Sequence, residues 1–405
     1  MHPNVPHLRF PEFHGEWEKC KLGDIATLTK GSGISKDQRS ATGTPCILYG
    51  ELYTTYKSEV INYVVSKTDI SDKNLVRSCA NDIIIPSSGE TAIDISTARC
   101  VLSPDVLLGG DLNIIRLKDG DGRFFSYQLN GVRKHDIAKI AQGVSVVHLY
   151  GESIKGLTVS FPSNKEQQKI STLLSLIDER IATQSKLIEK LESLIKGMED
   201  NLLDNPLWEK TYLRSFMQFF PTNSLSWEQL SYKEGAIRNL HYGLIHGLQT
   251  RGINSASLPM IKNEAIPKQY TLCQVGDVAF ADASEDTGEI AKSVEFVDTI
   301  EGDTICGLHT IHGRDIKNRT VVGFKGFAFN SCYFHNQIKR LAQGTKVFSI
   351  TANNLSSCYV YLPDLETQKA IVNLLKTHEA KLLVNKRLLE HYEKQKQYLL
   401  RQMFI

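Results

Sequence analysis

A glycine-rich segment near the N-terminus carries residues suited to holding a phosphate group. Its small residues let backbone N–H groups approach an oxyanion, and two lysines supply complementary charge. A tight turn between strands, with both lysines solvated, explains the same residues equally well. The candidate nucleic-acid-binding residues in this segment are Lys30, Gly31, Ser32, Gly33, Ser35 and Lys36.

A second segment combines three tyrosines with a glutamate and two threonines. A tyrosine ring can lie on a sugar or base while its hydroxyl meets a phosphate, and a glutamate can accept a hydrogen bond from the cytosine amino group. Core tyrosines at the end of a strand are the competing interpretation. The candidates here are Tyr49, Glu51, Tyr53, Thr54 and Tyr56.

The second half of the chain offers different polar residues at the corresponding place. Arg238, His241, Tyr242 and Arg251 take the place of the first glycine-rich segment, so the two halves would present different binding residues. Further binding candidates in polar loops are Ser87, Ser88, Gln142, Gln343 and Lys346.

A pair of histidines in the second half lies close to an arginine and an aspartate. His309, His312, Arg314 and Asp315 suggest a metal or acid–base cluster, but polar residues at a strand end or on a binding surface are the favoured interpretation. We therefore take His309 and Arg314 as binding candidates. The eight cysteines contain no C-x-x-C pair, so we predict reduced, mostly buried thiols and no metal site.

Motifs of the enzymes that act on DNA are missing. An adenine methyltransferase would show a tetrapeptide of the N-P-P-Y kind and a glycine-rich loop after a strand, and a nucleotide motor needs G-x-x-x-x-G-K-[ST]. The E-x-K spacing of a metal-dependent nuclease occurs at 379–381, where a solvated helix face is the better interpretation. We predict no catalytic centre and no cofactor in this chain.

Length and charge limit the possible architectures. At 405 residues the chain should form two or three domains, given a prior of roughly 150 residues per domain. The net charge of +2 means that any affinity for nucleic acid depends on where the charges lie. Because the sequence has no signal-peptide pattern and no run of about 18 apolar residues, we expect a cytoplasmic protein with no membrane partner.

An internal repeat organises the sequence. The segment 141–143 (AQG) recurs at 342–344, and 166–170 (EQQKI) recurs at 367–371 (TQKAI), both with an offset of 201 residues. Each half is therefore a variable body followed by a more constant tail.

Upstream, the two copies align with a changing offset because their loops differ in length. The segment 81–85 (NDIII) resembles 276–280 (GDVAF), and Trp17-Glu18 resembles Trp227-Glu228. Short β-branched and aromatic runs separated by turn residues fill both bodies, which indicates an irregular, mostly antiparallel sheet in each.

The tails predict two long helices. Across 170–202 the seam residues, mainly apolar, step by alternating fours and threes, and 371–403 carries the same seam. Gln184 and Asn385 are matching amides near the middle of each seam, so we expect them to face each other and fix the helix register. Two unrelated surface helices, each packed on its own domain, are the alternative.

The chain resembles the specificity subunits of type I restriction-modification systems, and the resemblance covers nearly all of it. The order of the motifs, the duplication and the helical tails together carry it. The motifs are 8–13 (LRFPEF), Trp17-Glu18, 21–25 (KLGDI), 161–162 (FP), 166–170 (EQQKI), 176–178 (LID) and the two AQG segments.

The resemblance implies an α+β fold with a pseudo-twofold internal repeat: two mixed α/β target-recognition domains separated by two long antiparallel coiled-coil helices. The implied boundaries are 1–160 and 205–360 for the first and second recognition domains, and 161–204 and 361–405 for the conserved helices.

The resemblance also implies partners. Each domain would read one half of a bipartite double-stranded DNA target, and the helices would set the spacer. Two modification subunits would bind S-adenosylmethionine and methylate adenine, and two restriction subunits would use ATP and Mg²⁺. A duplicated protein- or glycan-binding scaffold without a DNA role is the alternative, and a stand-alone nuclease is disfavoured by the missing carboxylate cluster.

Overall fold

The computed structural model describes residues 4–71, 74–248, 251–298, 300 and 302–405. Contacts divide the chain into two compact units, Met1–Lys186 with Arg387–Ile405, and Leu187–Lys386. Each unit contains one mixed α/β body and a segment of both long helices. The helices are therefore shared between the units, whereas the sequence-based boundaries treat them as separate segments.

The first body is built from short strands and short helices. Its strands are β1 (Glu18–Lys21), β2 (Ala26–Lys30), β3 (Thr44–Ile47), β4 (Val60–Ile61), β5 (Lys67–Thr68), β6 (Asp82–Pro86), β7 (Ser88–Gly89), β8 (Arg99–Val101), β9 (Leu107–Leu108), β10 (Leu112–Leu117), β11 (Val147–His148) and β12 (Thr158–Phe161). Its helices are α1 (Leu22–Ile25), α2 (Glu51–Thr54), α3 (Ala92–Ile95), α4 (Gly122–Asn130), α5 (Lys134–Ile140) and α6 (Gly151–Lys155).

The first long helix, α7 (Asn164–Leu203), leads into the second body. The strands there are β13 (Glu209–Tyr212), β14 (Met217–Phe220), β15 (Leu230–Ser231), β16 (Ile237–Leu240), β17 (Gly252–Ile253), β18 (Met260–Ile261), β19 (Val278–Ala281), β20 (Ala283–Ser284), β21 (Ser293–Phe296), β22 (Thr304–Cys306), β23 (Thr310–Asp315), β24 (Phe348–Ser349) and β25 (Tyr359–Leu362). The helices are α8 (Tyr242–Gly247), α9 (Phe324–Ala328), α10 (Cys332–Leu341), α11 (Ala352–Ser357) and the second long helix, α12 (Leu365–Gln402).

The central sheets of the two bodies have the same topology. The strand orders are β2-β10-β6-β8-β4 and β14-β23-β19-β21-β17, and in each sheet the last pair is parallel and the others antiparallel. In β6, Ile83 and Ile85 pack in one apolar cluster and Ile84 in another, because successive side chains of a strand point to opposite faces. In β19, Val278 and Ala279 are divided between two clusters in the same way.

The repeat extends to individual hydrogen bonds. The Arg116 guanidinium donates two hydrogen bonds, of 2.8 and 2.7 Å, to the Asp82 carboxylate. Arg314 donates two hydrogen bonds of the same lengths to Asp277. Burial acts to raise the pKa of Asp277, but bonds from Arg314 and His312 outweigh it and leave the pKa below its usual value. Asp82 and Asp277 thus make equivalent contacts, as the predicted correspondence of 81–85 with 276–280 requires.

One part of the sequence alignment is wrong. Trp17 precedes β1, which pairs with β12, and the equivalent strand β13 pairs with β25 and follows Trp208. Trp208, not Trp227, is therefore the counterpart of Trp17. Trp17 lies in the core with 3% of its surface exposed, whereas Trp227 is 46% exposed.

The long helices confirm the predicted α+β fold with an antiparallel helix pair. In the first unit the start of α7, at Leu174, shares an apolar cluster with Leu399 near the end of α12. In the second unit the end of α7, at Leu203, shares a cluster with Ile371 and Leu375 near the start of α12. In each unit the start of one helix thus meets the end of the other.

A buried glutamine joins each body to the first turn of its helix. Gln167 accepts a bond from the Asp121 N–H at 3.0 Å and donates to the Pro162 carbonyl at 2.8 Å. Gln368, at the matching position, accepts from the Val321 N–H and donates to the Pro363 carbonyl, both at 3.0 Å. The shared motif around these glutamines is therefore a structural junction.

Ionic contacts at the matching body–helix junctions have inverted charges. In the first unit Lys396 of α12 pairs with Glu59 of the body and, at 2.6 Å, with Asp178 of α7. In the second unit Arg251 of the body lies 3.8 Å from Glu199 of α7, and its backbone N–H donates to Glu379 of α12 at 3.1 Å.

We predict that Lys396→Met destabilises the first unit by about 3–5 kcal/mol, because Glu59 and Asp178 would remain buried without their cation. Burial lowers the pKa of Lys396, but the two carboxylates raise it by more. The contribution of the lysine is therefore present below its unfolded pKa of about 10.4 and disappears as the pH rises through the folded value.

The matched control is Lys394→Met, because Lys394 is 72% exposed and pairs with the exposed Glu390. We expect this variant to lie within about 0.5 kcal/mol of the parent protein. Thermal and urea unfolding, followed at pH 7, compare the two. Equal stability of both variants would contradict the buried ionic junction.

Candidate nucleic-acid interface

In the first body the two candidate segments meet at one cleft. The cleft has a volume of about 990 Å³. Among the predicted residues it is lined by Gly33, Ser35, Lys36, Tyr49, Glu51 and Thr54. The sequence separates these segments, and the parallel pairing of β3 with β9 helps to bring them together.

The glycine-rich segment is mostly a packed turn, which corrects part of the prediction. The Gly31 N–H donates to Leu112 O at 2.9 Å, and the Ser32 N–H donates to Leu108 O at 3.0 Å, so neither N–H is directed at a ligand. A Cβ on Gly31 would lie 2.0 Å from the Gly109 carbonyl oxygen, which explains the glycine by close backbone approach. Lys30 is exposed at the end of β2.

The exposed part of the segment is a short 3-10 turn. Ser35 caps it through a capping box with Gln38, and the side chain of Lys36 is exposed. Arg39 follows and is also 40% exposed, 3.6 Å from Glu51. Arg39 was not among the residues predicted from the sequence, although its position three residues after Lys36 was an available signal.

The tyrosine-rich segment divides between surface and core. Tyr56 is buried and its hydroxyl accepts a bond from the Val65 N–H at 3.2 Å, and burial raises its pKa to about 12. The core interpretation is therefore correct for Tyr56. Glu51 is also buried and accepts from the Leu48 N–H at 2.9 Å and from Ser66, so its carboxylate organises the turn.

The other three residues of this segment remain accessible. Tyr49 and Thr54 are exposed, and Tyr53 is half-buried. Tyr49 and Thr54, with Lys36 and Arg39, form the exposed polar rim of the cleft.

The two AQG segments form matching loops. Gln142 exchanges backbone hydrogen bonds with His148 at 2.9 and 2.7 Å, and Gln343 does so with Ser349 at 3.0 and 2.8 Å. The side chains of Gln142, Gln343 and Lys346 are exposed. We name residues 142–148 and 343–349 the AQG loops.

A short strand pair places Ser88 beside the first AQG loop, since Ser88 pairs with His148. Ser87, however, is buried, and its N–H donates to Asp111 O at 2.7 Å. Ser87 is thus a structural residue, and only Ser88 keeps a partly exposed position.

In the second body, aromatic and histidine rings form a cluster in which His241 is buried and Trp227 and His309 are exposed. The His241 ring lies 4.4 Å from the Trp227 ring and 4.7 Å from the Tyr242 ring, and its Nδ1 accepts the Gly243 N–H at the start of α8. His309 lies 5.2 Å from Tyr242 and 3.1 Å from a carboxylate oxygen of Asp282. Burial, followed by the charge of His309, lowers the pKa of His241 and favours its neutral form.

The three arginines predicted in this body are committed to internal bonds. Arg314 holds Asp277, Arg251 pairs with Glu199, and Arg238 donates to the carbonyls of Ala256 and Leu258 at 2.9 and 3.1 Å. Arg314 and Arg251 therefore have structural contacts, and their binding role stays a prediction. His309, Tyr242 and Lys346 remain at the surface of this body.

Comparisons with known proteins agree with this duplicated architecture. The family model of the type I restriction modification DNA specificity domain matches residues 14–193 and 307–393. The type I restriction enzyme MjaVIII specificity subunit of Methanocaldococcus jannaschii is 24% identical, over 96% of this chain and 93% of that protein. A putative MjaX specificity subunit from the same organism is also 24% identical, over 97% of this chain and 94% of the relative.

A solved S subunit of a type I restriction-modification system from M. genitalium has the same fold. It superposes with a TM-score of 0.63 at 16% identity and covers 99% of both chains. A chain from a solved structure on assembly of the type I restriction-modification system superposes with a TM-score of 0.56 at 13% identity.

A duplicated α/β body with a shared helix pair defines the class of protein. The chain belongs to the family of type I restriction-modification specificity subunits. Specificity subunits are the non-catalytic components of these complexes. No helix within the described part of the chain is both long enough and apolar enough to cross a membrane.

We predict that Gly344→Ala and Gly143→Ala each destabilise their body by about 1–3 kcal/mol. Both glycines have positive φ, +129° and +124°, and an added Cβ would lie 2.0 and 2.1 Å from a carbonyl oxygen of the same loop. Gly197→Ala is the control, because Gly197 lies in α7 with open space around its Cβ position, and alanine should stabilise the helix by about 0.5–1 kcal/mol. Thermal unfolding measures all three, and an unchanged midpoint for both loop variants would refute the constraint.

Proposed function

We propose that each body reads one half of a bipartite DNA target, with residues 1–160 and 205–360 as the two target-recognition domains. The observation that carries this proposal is the matched pair of frameworks with unlike surfaces. Both bodies keep the Asp–Arg bonds and the AQG loops, but one presents the cleft around Lys36 and Tyr49 and the other presents the ring cluster around Tyr242. Two non-identical readers on one framework suit a target with two different halves.

The exposed loop residues are the proposed DNA contacts. Lys36, Arg39 and Lys346 supply cations for phosphate oxygens, and phosphate contacts provide much of the affinity of DNA-binding proteins. Tyr49, Thr54 and Gln142 in the first body, and Tyr242, His309 and Gln343 in the second, supply groups able to meet base edges or sugars. The buried candidates contribute through the framework.

The long helices are proposed to set the spacer and to dock the modification subunits. Gln184 is 8% exposed, and Asn385 donates to the Lys381 carbonyl at 2.7 Å. We keep the facing of Gln184 and Asn385 as a prediction of helix register. Two S-adenosylmethionine-dependent modification subunits and two ATP- and Mg²⁺-dependent restriction subunits would complete the assembly, and this chain would contribute no cofactor.

We predict that exchange of residues 205–360 for the matching segment of another family member changes one half of the methylated sequence. The other half and the spacer length should be unchanged, because the first body and both helices are retained. The donor should carry a cation at the position of Arg251, so that Glu199 and Glu379 keep their partner. Methylation sequencing of cells expressing the chain with its modification subunit gives the readout.

The reciprocal exchange of residues 1–160 is the matched control and should change the opposite half. If either exchange altered both halves, or the spacer alone, two independent readers would be excluded.

We predict that Lys36→Ala and Lys346→Ala each weaken DNA binding by the complex with modification subunits and lower its salt dependence. Loss of one phosphate contact should reduce the slope of log affinity against log salt by about 0.9. Lys317→Ala is the control, because this exposed lysine follows β23 at the end away from His309. A protein- or glycan-binding scaffold without a DNA role would give no salt-dependent DNA binding with any variant.

A further inference from the structure

Three metal-ligating side chains converge inside the second body. Cys273 precedes β19, Cys306 ends β22 and His312 lies in β23. Both sulfurs and one ring nitrogen of His312 lie within 4.8 Å of one another, and all three residues are buried. The two Sγ atoms are 3.6 Å apart.

The backbone fixes this convergence. The Cys273 N–H donates to the Thr304 carbonyl at 2.8 Å, and Leu272 bridges Ile305, so the two cysteines lie on adjacent extended segments. His312 pairs with Ala279 in the central sheet. The three side chains are therefore brought together by strand pairing, although 33 residues separate the cysteines.

The histidine ring is oriented by a carboxylate. Nε2 of His312 lies 2.7 Å from an oxygen of Asp277, and Arg314 and the Gln274 N–H hold that carboxylate in turn. Histidines that bind metals commonly donate their other ring N–H to a carboxylate, which fixes the tautomer and raises the basicity of the ligating nitrogen. Because Nε2 of His312 is bonded to Asp277, Nδ1 is the ring nitrogen that remains available to a metal.

The first body provides an internal comparison. The Ser78 N–H donates to Val106 O at 2.8 Å as the Cys273 N–H does to Thr304 O, and Arg77 bridges Leu107 as Leu272 bridges Ile305. By this register the counterparts of Cys273, Cys306 and His312 are Ser78, Leu108 and Ile114. The two bodies therefore share the backbone framework of this region. The three potential metal ligands are present in the second body and are replaced by Ser78, Leu108 and Ile114 in the first.

In contrast to the sequence-based expectation of no metal site, we propose that Cys273, Cys306 and His312 bind one zinc ion in the second body. Two thiolates and one imidazole are a ligand set that zinc prefers, and Zn–S bonds of about 2.3 Å in a tetrahedral site place two sulfurs roughly 3.8 Å apart. Two thiolates also balance the charge of Zn²⁺, so the occupied site is neutral.

A fourth ligand would be water. Ile305 and Cys306 border a cavity of about 400 Å³ with Asn223, Tyr270 and Thr271. Among the three ligands, Cys306 borders this cavity, so we expect the water to enter from that side. A disulfide between the cysteines is the competing product, but it needs an S–S distance of about 2.05 Å. The zinc site would link β22 to β23 next to the ring cluster around Tyr242. Zinc binding at this site does not depend on the proposed DNA recognition.

The test measures zinc in the full chain, purified under reducing conditions, exposed to zinc chloride alone and then freed of unbound metal. We expect one zinc per chain by elemental mass spectrometry. Cobalt substitution should give the thiolate-to-cobalt charge-transfer absorption that reports sulfur ligands. His312→Ala and the double variant Cys273→Ser with Cys306→Ser should each lose the bound metal, whereas Cys358→Ser, a buried cysteine of the same unit, should retain it.

The cobalt spectrum of the unaltered chain keeps the test decisive if the double variant fails to fold. Less than about one tenth of a zinc per chain, or zinc retained by the double variant, would overturn the proposal. So would a Cys273–Cys306 disulfide found by mass spectrometry after thiol blocking of the protein as isolated.

Discussion

The architecture depends on the attachment of each body to the ends of the two long helices. A helix pair with an apolar seam is stable only when its length is packed, and here each end packs into the core of a body. The buried glutamines Gln167 and Gln368 satisfy backbone groups at these junctions. Ionic contacts then differ between the units, with Lys396 on a helix in one and Arg251 on a body in the other.

This difference in charge disfavours exchange of the bodies between the junctions. A body carrying Glu59 would meet Glu199 and Glu379 at the other junction. A body carrying Arg251 would meet Lys396 as well as Asp178. Like charges brought together in a buried setting are strongly unfavourable. The charges therefore assign each body to its own pair of helix ends, while the shared framework would otherwise allow either assignment.

The sequence predicted the fold from features that depend on local spacing. The AQG segments and the segments around Asp82 and Asp277 kept their register, because strand pairing imposes a fixed period. The Trp17 assignment was wrong because two Trp-Glu pairs occur in the second half, and only the pairing of β13 with β25 distinguishes Trp208 from Trp227. Strand pairing between distant segments has no short-range signal.

The candidate interface was less predictable for a related reason. Whether an arginine faces solvent depends on partners far along the chain, as Arg314 and Asp277 show with a separation of 37 residues. Composition indicated polar loops but did not distinguish Lys36, which is exposed, from Glu51, which is buried.

The division between buried and exposed polar groups also explains how one framework can carry two surfaces. Polar groups such as Asp277, Arg314 and Gln368 are satisfied within the body, so the stability of the fold does not require particular side chains at the loop tips. Exposed substitutions away from such contacts change stability by about 0.5 kcal/mol or less. Replacement of Lys36 or Lys346 should therefore have little effect on folding. The exposed loop surface proposed to contact DNA can vary, whereas the junction residues cannot.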